Sequence, residues 1–191
     1  NPVQSIVLKK TSKDFLQGTV EPADRESIKK AVEFYEAGQY TEALPLLKEF
    51  IEAYPSIYMA RINLANTYLK LKEYEAAITE FKKVLEELKQ EEDQLKVKEK
   101  SAEIYTLIAE AYMDQEKYQE AAASYKQAME IRPPTDPALV FNVAEIMFST
   151  HQVDEAIRYY QLAIQLNPGE GIYYLKLGYA YLNKGDIQTA V

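Results

Sequence analysis

One short phrase returns along this chain. It reads QYTEALPLLKEFIEAYP at residues 39–55, EYEAAITEFKKVLEEL at 73–88, KYQEAAASYKQAMEIRP at 117–133 and QVDEAIRYYQLAIQLNP at 152–168. The alanine that anchors it stands at positions 43, 77, 121 and 156, and again at Ala190. Successive spacings are 34, 44, 35 and 34 residues, so a period of 34 with insertions of 10 and 1 accounts for all of them. A fixed period of this size marks a chain built by stacking one supersecondary unit. It removes most other architectures from consideration.

The unit consists of two helices. In the third copy Tyr105, Ile108, Ala109 and Tyr112 recur at the spacing of one face of a 3.6-residue helix. A polar turn, Asp114 to Lys117, follows. Tyr118, Ala121, Tyr125 and Ala128 then repeat the spacing, and Pro133 stops the second helix because proline lacks an amide donor and clashes one turn back. The small alanines let two helix axes approach, and the tyrosine rings fill the flanking space. A lone pair of such helices would leave apolar faces in water. Stacking the next pair covers them, and each buried Tyr or Leu contributes roughly 1.5–3 kcal/mol.

These residues resemble the tetratricopeptide repeat. Tyr174, Leu177, Gly178, Tyr181, Gly185, Ile187 and Ala190 carry the pattern in the fifth copy. Leu64, Ala65, Tyr68, Tyr74, Ala77 and Phe81 carry it in the second, and Val143, Ala144, Met147, Ala156, Tyr160, Ala163 and Pro168 in the fourth. The first matches at Ala31, Phe34, Gly38, Tyr40, Ala43 and Pro55 but places Phe50 where a small residue is usual. The resemblance implies an all-α fold, a right-handed superhelical solenoid of antiparallel helix pairs. Its copies span 24–57, 58–101 with the insertion near 89–100, 102–136, 137–170 and a truncated 171–191, preceded by a non-repeat leader at 1–23. The missing proline after the second copy predicts a lengthened helix, with Asp93 as its cap. The insertion reads as a solvated extension or as a docking ridge. In the leader, SIVLKK (5–10) reads as a short extended segment and DFLQG (14–18) as a turn. Its apolar Ile6, Val7, Leu8, Phe15 and Leu16 equally suit it to lie across a groove. A chain that starts at Asn1 and stops at Val191 inside a helical phrase reads as a piece of a longer protein, and its compartment stays open between cytoplasmic and, if a leader was removed, exported.

Composition narrows the task. Net charge is −8, which argues against a general nucleic-acid role, since phosphate binding needs clustered Lys and Arg. No apolar run is long enough to insert in a membrane. There is no cysteine, and the single histidine, His151, falls in a turn, so metal sites built on those ligands are not expected. No glycine-rich phosphate loop or serine-nucleophile motif occurs. The expectation is a protein without enzymatic activity and without a cofactor.

The resemblance further implies that the first helix of each pair lines a concave face. That register selects Tyr35 from the first copy, Met59, Ile62, Asn63 and Asn66 from the second, and Leu107, Glu110 and Met113 from the third. Phe141, Asn142, Glu145 and Phe148 come from the fourth, and Tyr179 from the fifth. Asn63 and Asn142 share one repeat position, where an amide can grip a peptide backbone without reading side chains. The carboxylate clamp of chaperone-binding relatives is not expected, because Glu103 and Leu107 occupy its positions. The remaining lining is apolar and aromatic with acid interspersed. It suits a protein or peptide segment that is apolar or amphipathic and bears some positive charge. The expected function is a protein–protein interaction scaffold binding such a segment in the groove, lost on charge reversal at Phe141 and Asn142. The alternative is a structural spacer that self-associates through its truncated C-terminal end.

Overall fold

The computed structural model describes residues 20–186. Among the described residues there are nine α-helices and no strand. The readings of SIVLKK and DFLQG, and the second helix of the fifth copy with Ala190, lie outside the described residues. The chain divides into two compact units, residues 1–97 and 98–191.

The first unit contains α1 (Pro22–Glu36), α2 (Tyr40–Ala53), α3 (Tyr58–Lys70), α4 (Tyr74–Leu88) and the opening turn of α5 (Gln94–Asp114). Each helix packs on the next, α1 on α2, α2 on α3 and α3 on α4. The anchoring alanines Ala43 and Ala77 are fully buried, where a larger side chain would hold the axes apart. Phe50, which breaks the small-residue pattern, is buried and lies with its ring 5.0 Å from that of Tyr54. Arg61 fastens α3 to α4: its Nε donates to Glu87 Oε1 at 2.8 Å and its Nη1 to Glu80 Oε2 at 2.9 Å. The insertion goes into α5, which runs 21 residues. Asp93 caps it, its Oδ1 accepting from the amides of Leu95 and Lys96 at 3.1 Å each.

The second unit holds the rest of α5, then α6 (Tyr118–Ile131), α7 (Pro137–Ser149), α8 (Val153–Leu166) and α9 (Gly171–Lys184). Its core gathers Val140, Val143, Ala144 and Met147 of α7 against Ala156, Tyr160 and Ala163 of α8. Asp136 caps α7 by accepting from the Ala138 amide at 2.9 Å, and Pro137 occupies the first helical position, where a missing amide costs nothing.

Every first helix ends in the same way. Gly38, Lys72, Glu116, His151 and Gly185 all adopt positive φ, between 59° and 86°. Each stands five residues before an anchoring alanine. The amide after each one reaches back to the carbonyl five residues earlier, as in Gln39 to Phe34 at 2.8 Å and Gln152 to Met147 at 2.8 Å. This Schellman closure satisfies carbonyls that the helix end would otherwise leave bare, and it reverses the chain in a few residues. His151 therefore has a backbone role. No described helix is long and apolar enough to cross a membrane.

Candidate functional site

The second unit carries a cavity of about 440 Å³ between α5, α6 and α7. Three carboxylates stand around it, Glu110 and Asp114 from α5 and Glu145 from α7. Its apolar lining comes from Met113, Leu139, Val143 and Ile146, and its neutral polar groups from Asn142 and Tyr125. The placement follows from helix periodicity. Glu110, Met113 and Asp114 share one face of α5 at i, i+3 and i+4, and Asn142, Glu145 and Ile146 share one face of α7 in the same way.

Glu145 is neutralised locally: Lys176 Nζ donates to its Oε2, and the Tyr160 hydroxyl donates to its Oε1. Glu110 and Asp114 act on Tyr125. Burial, reinforced by the negative charge of Glu110 and then Asp114, pushes the Tyr125 hydroxyl up to about 12. The two carboxylates add negative potential at that hydroxyl, while the burial that raises it most disfavours a charge of either sign. Burial, followed by its hydrogen bond to Glu145, likewise raises the Tyr160 hydroxyl. Among the described residues, no group of three or more His, Cys, Asp or Glu is arranged to hold a metal ion.

Of the residues singled out by the repeat register, Glu110, Met113, Asn142 and Glu145 meet in this cavity. Phe141 is half-buried and packs: its ring stacks on Tyr173 at 4.7 Å and leans on Tyr160 at 5.8 Å. Phe148 also packs against the core of the unit, and Leu107 is buried on α5. Tyr179 lies on α9, exposed at 53%, in a stripe with Ile172, Leu175 and Leu182. The register missed Tyr125, Leu139, Val143 and Ile146. Tyr125 belongs to a second helix, which a first-helix rule excludes. Its apolar neighbours are visible only as helical periodicity, which also describes core.

In the first unit the selected residues are sealed. Tyr35, Met59 and Ile62 are buried, Asn63 is 0% exposed and Asn66 is 1% exposed. The Asn66 Oδ1 and the Tyr35 hydroxyl lie buried without a hydrogen-bond partner. Burial, then the neighbouring Tyr40, pushes the Tyr35 hydroxyl up to about 12.

Two tetratricopeptide repeat models match the chain, over residues 28–92 and 112–177. Among curated proteins, the human protein O-mannosyl-transferase TMTC1 is 26% identical over 159 residues, covering 81% of this chain and 16% of the relative. The general transcriptional corepressor ssn6 of Schizosaccharomyces pombe is 32% identical over 83 residues, covering 44% of this chain and 7% of the relative. The chain thus spans a small part of either protein. MamA of Desulfovibrio magneticus RS-1, from residue 41 to its end, aligns with a TM-score of 0.64 at 19% identity, covering 89% of this chain and 90% of that one. YrrB, described as a TPR protein with an unusual peptide-binding site, aligns with a TM-score of 0.64 at 17% identity, covering 96% of this chain and 87% of that one. These solved structures share the all-α fold of stacked helix pairs. With its 34-residue period, its buried alanines and its five identical turns, the chain belongs to the tetratricopeptide repeat family.

Proposed function

We propose that this chain is an interaction module whose second unit holds a segment of a partner protein in the cavity between α5, α6 and α7. The observation that supports this most is the combination of an apolar lining with an acidic rim whose Glu110 and Asp114 act together on Tyr125. Such a site favours a basic side chain flanked by apolar ones, with Asn142 available to the backbone. A peptide-binding site is named for YrrB, a protein of similar fold, and a corepressor is among the matched relatives, which agrees with an interaction role. The test is a peptide-display screen on the whole chain beside a Glu110→Lys, Asp114→Lys variant. A basic, apolar consensus that binds the unmodified chain at least tenfold more tightly supports the reading. Equal enrichment on both, or enrichment of acidic peptides, rejects it. Phe141→Glu is a poor probe here, because that ring is stacked between helices.

A second reading rests on α9. Ile172, Leu175, Tyr179 and Leu182 repeat at three and four residues and are each 40% exposed or more. A stripe of this kind suits self-association. Light scattering that shows concentration-dependent dimers, lost in Leu175→Lys, would favour a structural role, and a monomer at all concentrations would end it.

A further inference from the structure

We infer that the exposed stripe of α9 and the cavity are two halves of one binding face, and that Lys176 between them fixes which end of a partner segment carries its positive charge. This rests on the cavity reading and narrows the partner to a segment with a basic residue at one end and an apolar cluster at the other. The two surfaces are continuous. Leu175, Lys176 and Tyr179 stand 34 residues after Phe141, Asn142 and Glu145, so α9 repeats that face of α7. The helices also meet along it. The Tyr173 ring stacks on Phe141 at 4.7 Å, and Lys176 Nζ donates to Glu145 Oε2. Glu145 lines the cavity, so an ion pair from α9 closes on its rim. Lys176 rises from within the stripe itself, four residues after Ile172 and three before Tyr179.

Charge runs one way across this face. Glu145 has both carboxylate oxygens engaged, one by Lys176 and one by the Tyr160 hydroxyl. Three rim carboxylates against one ammonium leave a net −2, and with Glu145 paired it sits on α5, at Glu110 and Asp114. At the other end, α9 contains no acidic residue and two lysines, in a chain with 30 acidic residues and 22 basic ones. Its Ile172, Leu175, Tyr179 and Leu182 are each 40% exposed or more. A cation is therefore attracted at α5 and repelled by Lys176 at α9, while apolar side chains gain by covering the stripe. The span sets the spacing of the motif. Helices packed side by side lie about 8–10 Å apart, so two steps, from α5 to α7 to α9, cover about 20 Å. An extended segment crosses that distance in about six residues.

The test selects a random library of displayed peptides, each about sixteen residues long, on the whole chain and on three variants. Glu110→Lys with Asp114→Lys probes the cavity, Leu175→Ser with Tyr179→Ser the stripe, and Lys176→Met the divider between them. The unmodified chain is expected to enrich a single basic residue about six positions from an apolar cluster. The stripe variant should keep the basic residue, lose the apolar cluster, and bind a synthetic peptide of the parent consensus about tenfold more weakly at an unchanged melting temperature. Ile172→Ser with Leu182→Ser replaces that pair if the melting temperature falls. Lys176→Met, which leaves Glu145 open, should admit a second basic residue beside the apolar cluster. Equal selection and affinity on the stripe variant and the parent overturns the inference and leaves the cavity reading standing. Equal selection on the Glu110→Lys, Asp114→Lys variant, or no enrichment on the parent, overturns both. An unchanged consensus on Lys176→Met overturns the orienting role of the lysine. Dimers seen by light scattering that the stripe variant abolishes and the peptide leaves intact give the stripe to a second copy of the chain, and that too overturns the inference.

Discussion

At the scale of single residues, the turn position recurs most faithfully and is filled least consistently. Two copies place glycine there, and three place Lys72, Glu116 and His151 in the same left-handed conformation. A β-carbon in that region costs about 1–2 kcal/mol, offset in part by the freedom that glycine adds to the unfolded chain. Glu116→Gly and Lys72→Gly are therefore expected to stabilise the protein by about 0.5–1 kcal/mol each, measured by urea denaturation. His151→Gly should gain less, because histidine tolerates the conformation better. Gly38→Ala tests the reverse. A β-carbon there would meet no atom within 4 Å, so the expected loss of about 1 kcal/mol is backbone strain alone. Equal stability of Gly38→Ala and the parent would refute this account of the turns.

At the scale of helices, stability lies in the seams between them. The Arg61 guanidinium lies between Glu80 and Glu87, with both Arg61 and Glu80 only 12% exposed at the side chain. Burial would raise the Glu80 carboxyl, but hydrogen bonds from Lys83 and Arg61 outweigh it and hold the group below its usual value. A depressed folded pKa contributes stability above the unfolded value, about 4.3, and that stability is lost as pH falls through the folded one. Arg61→Ala is expected to cost about 1–2 kcal/mol at pH 7, and the deficit should shrink once pH drops below about 4. A deficit that does not vary with pH would mean the arginine acts by packing alone. In the second unit, Phe141 joins α7 to Tyr160 of α8 and Tyr173 of α9. Phe141→Ala is expected to lower stability by about 2 kcal/mol, while Asn142→Ala, exposed beside it, should leave stability within about 0.5 kcal/mol. Differential scanning calorimetry on the two variants separates packing from binding at adjacent positions.

At the scale of the molecule, the net charge of −8 bears on association rather than folding. Attraction of a basic segment to the cavity in the second unit is partly exposed to solvent and thus screened by salt. Its affinity is expected to fall several-fold as ionic strength rises from about 0.05 to 0.5 M, where the Debye length shrinks below about 5 Å. Titration calorimetry at the two salt concentrations checks this, and an affinity indifferent to salt would assign the binding to apolar contact.

Periodicity alone settles a good deal about this protein. The 34-residue return of a small residue, together with the helical spacings on either side of it, points to repeated helix pairs that approach closely at that residue, and Ala43, Ala77, Ala121 and Ala156 are all fully buried where it predicts. The lengthened α5 and its Asp93 cap were equally legible, because caps and missing prolines act locally. Accessibility was not legible. The register treats Asn63 and Asn142 as equivalent, and the structure makes one inaccessible and the other open. It treats Phe141 as groove lining, and the structure stacks it on Tyr173. It passes over Tyr125, which reaches the cavity from a second helix. The physical reason is common to all three. A helix face is written in spacings of three and four residues, but what lies against that face comes from residues distant in sequence, and only the tertiary structure decides it.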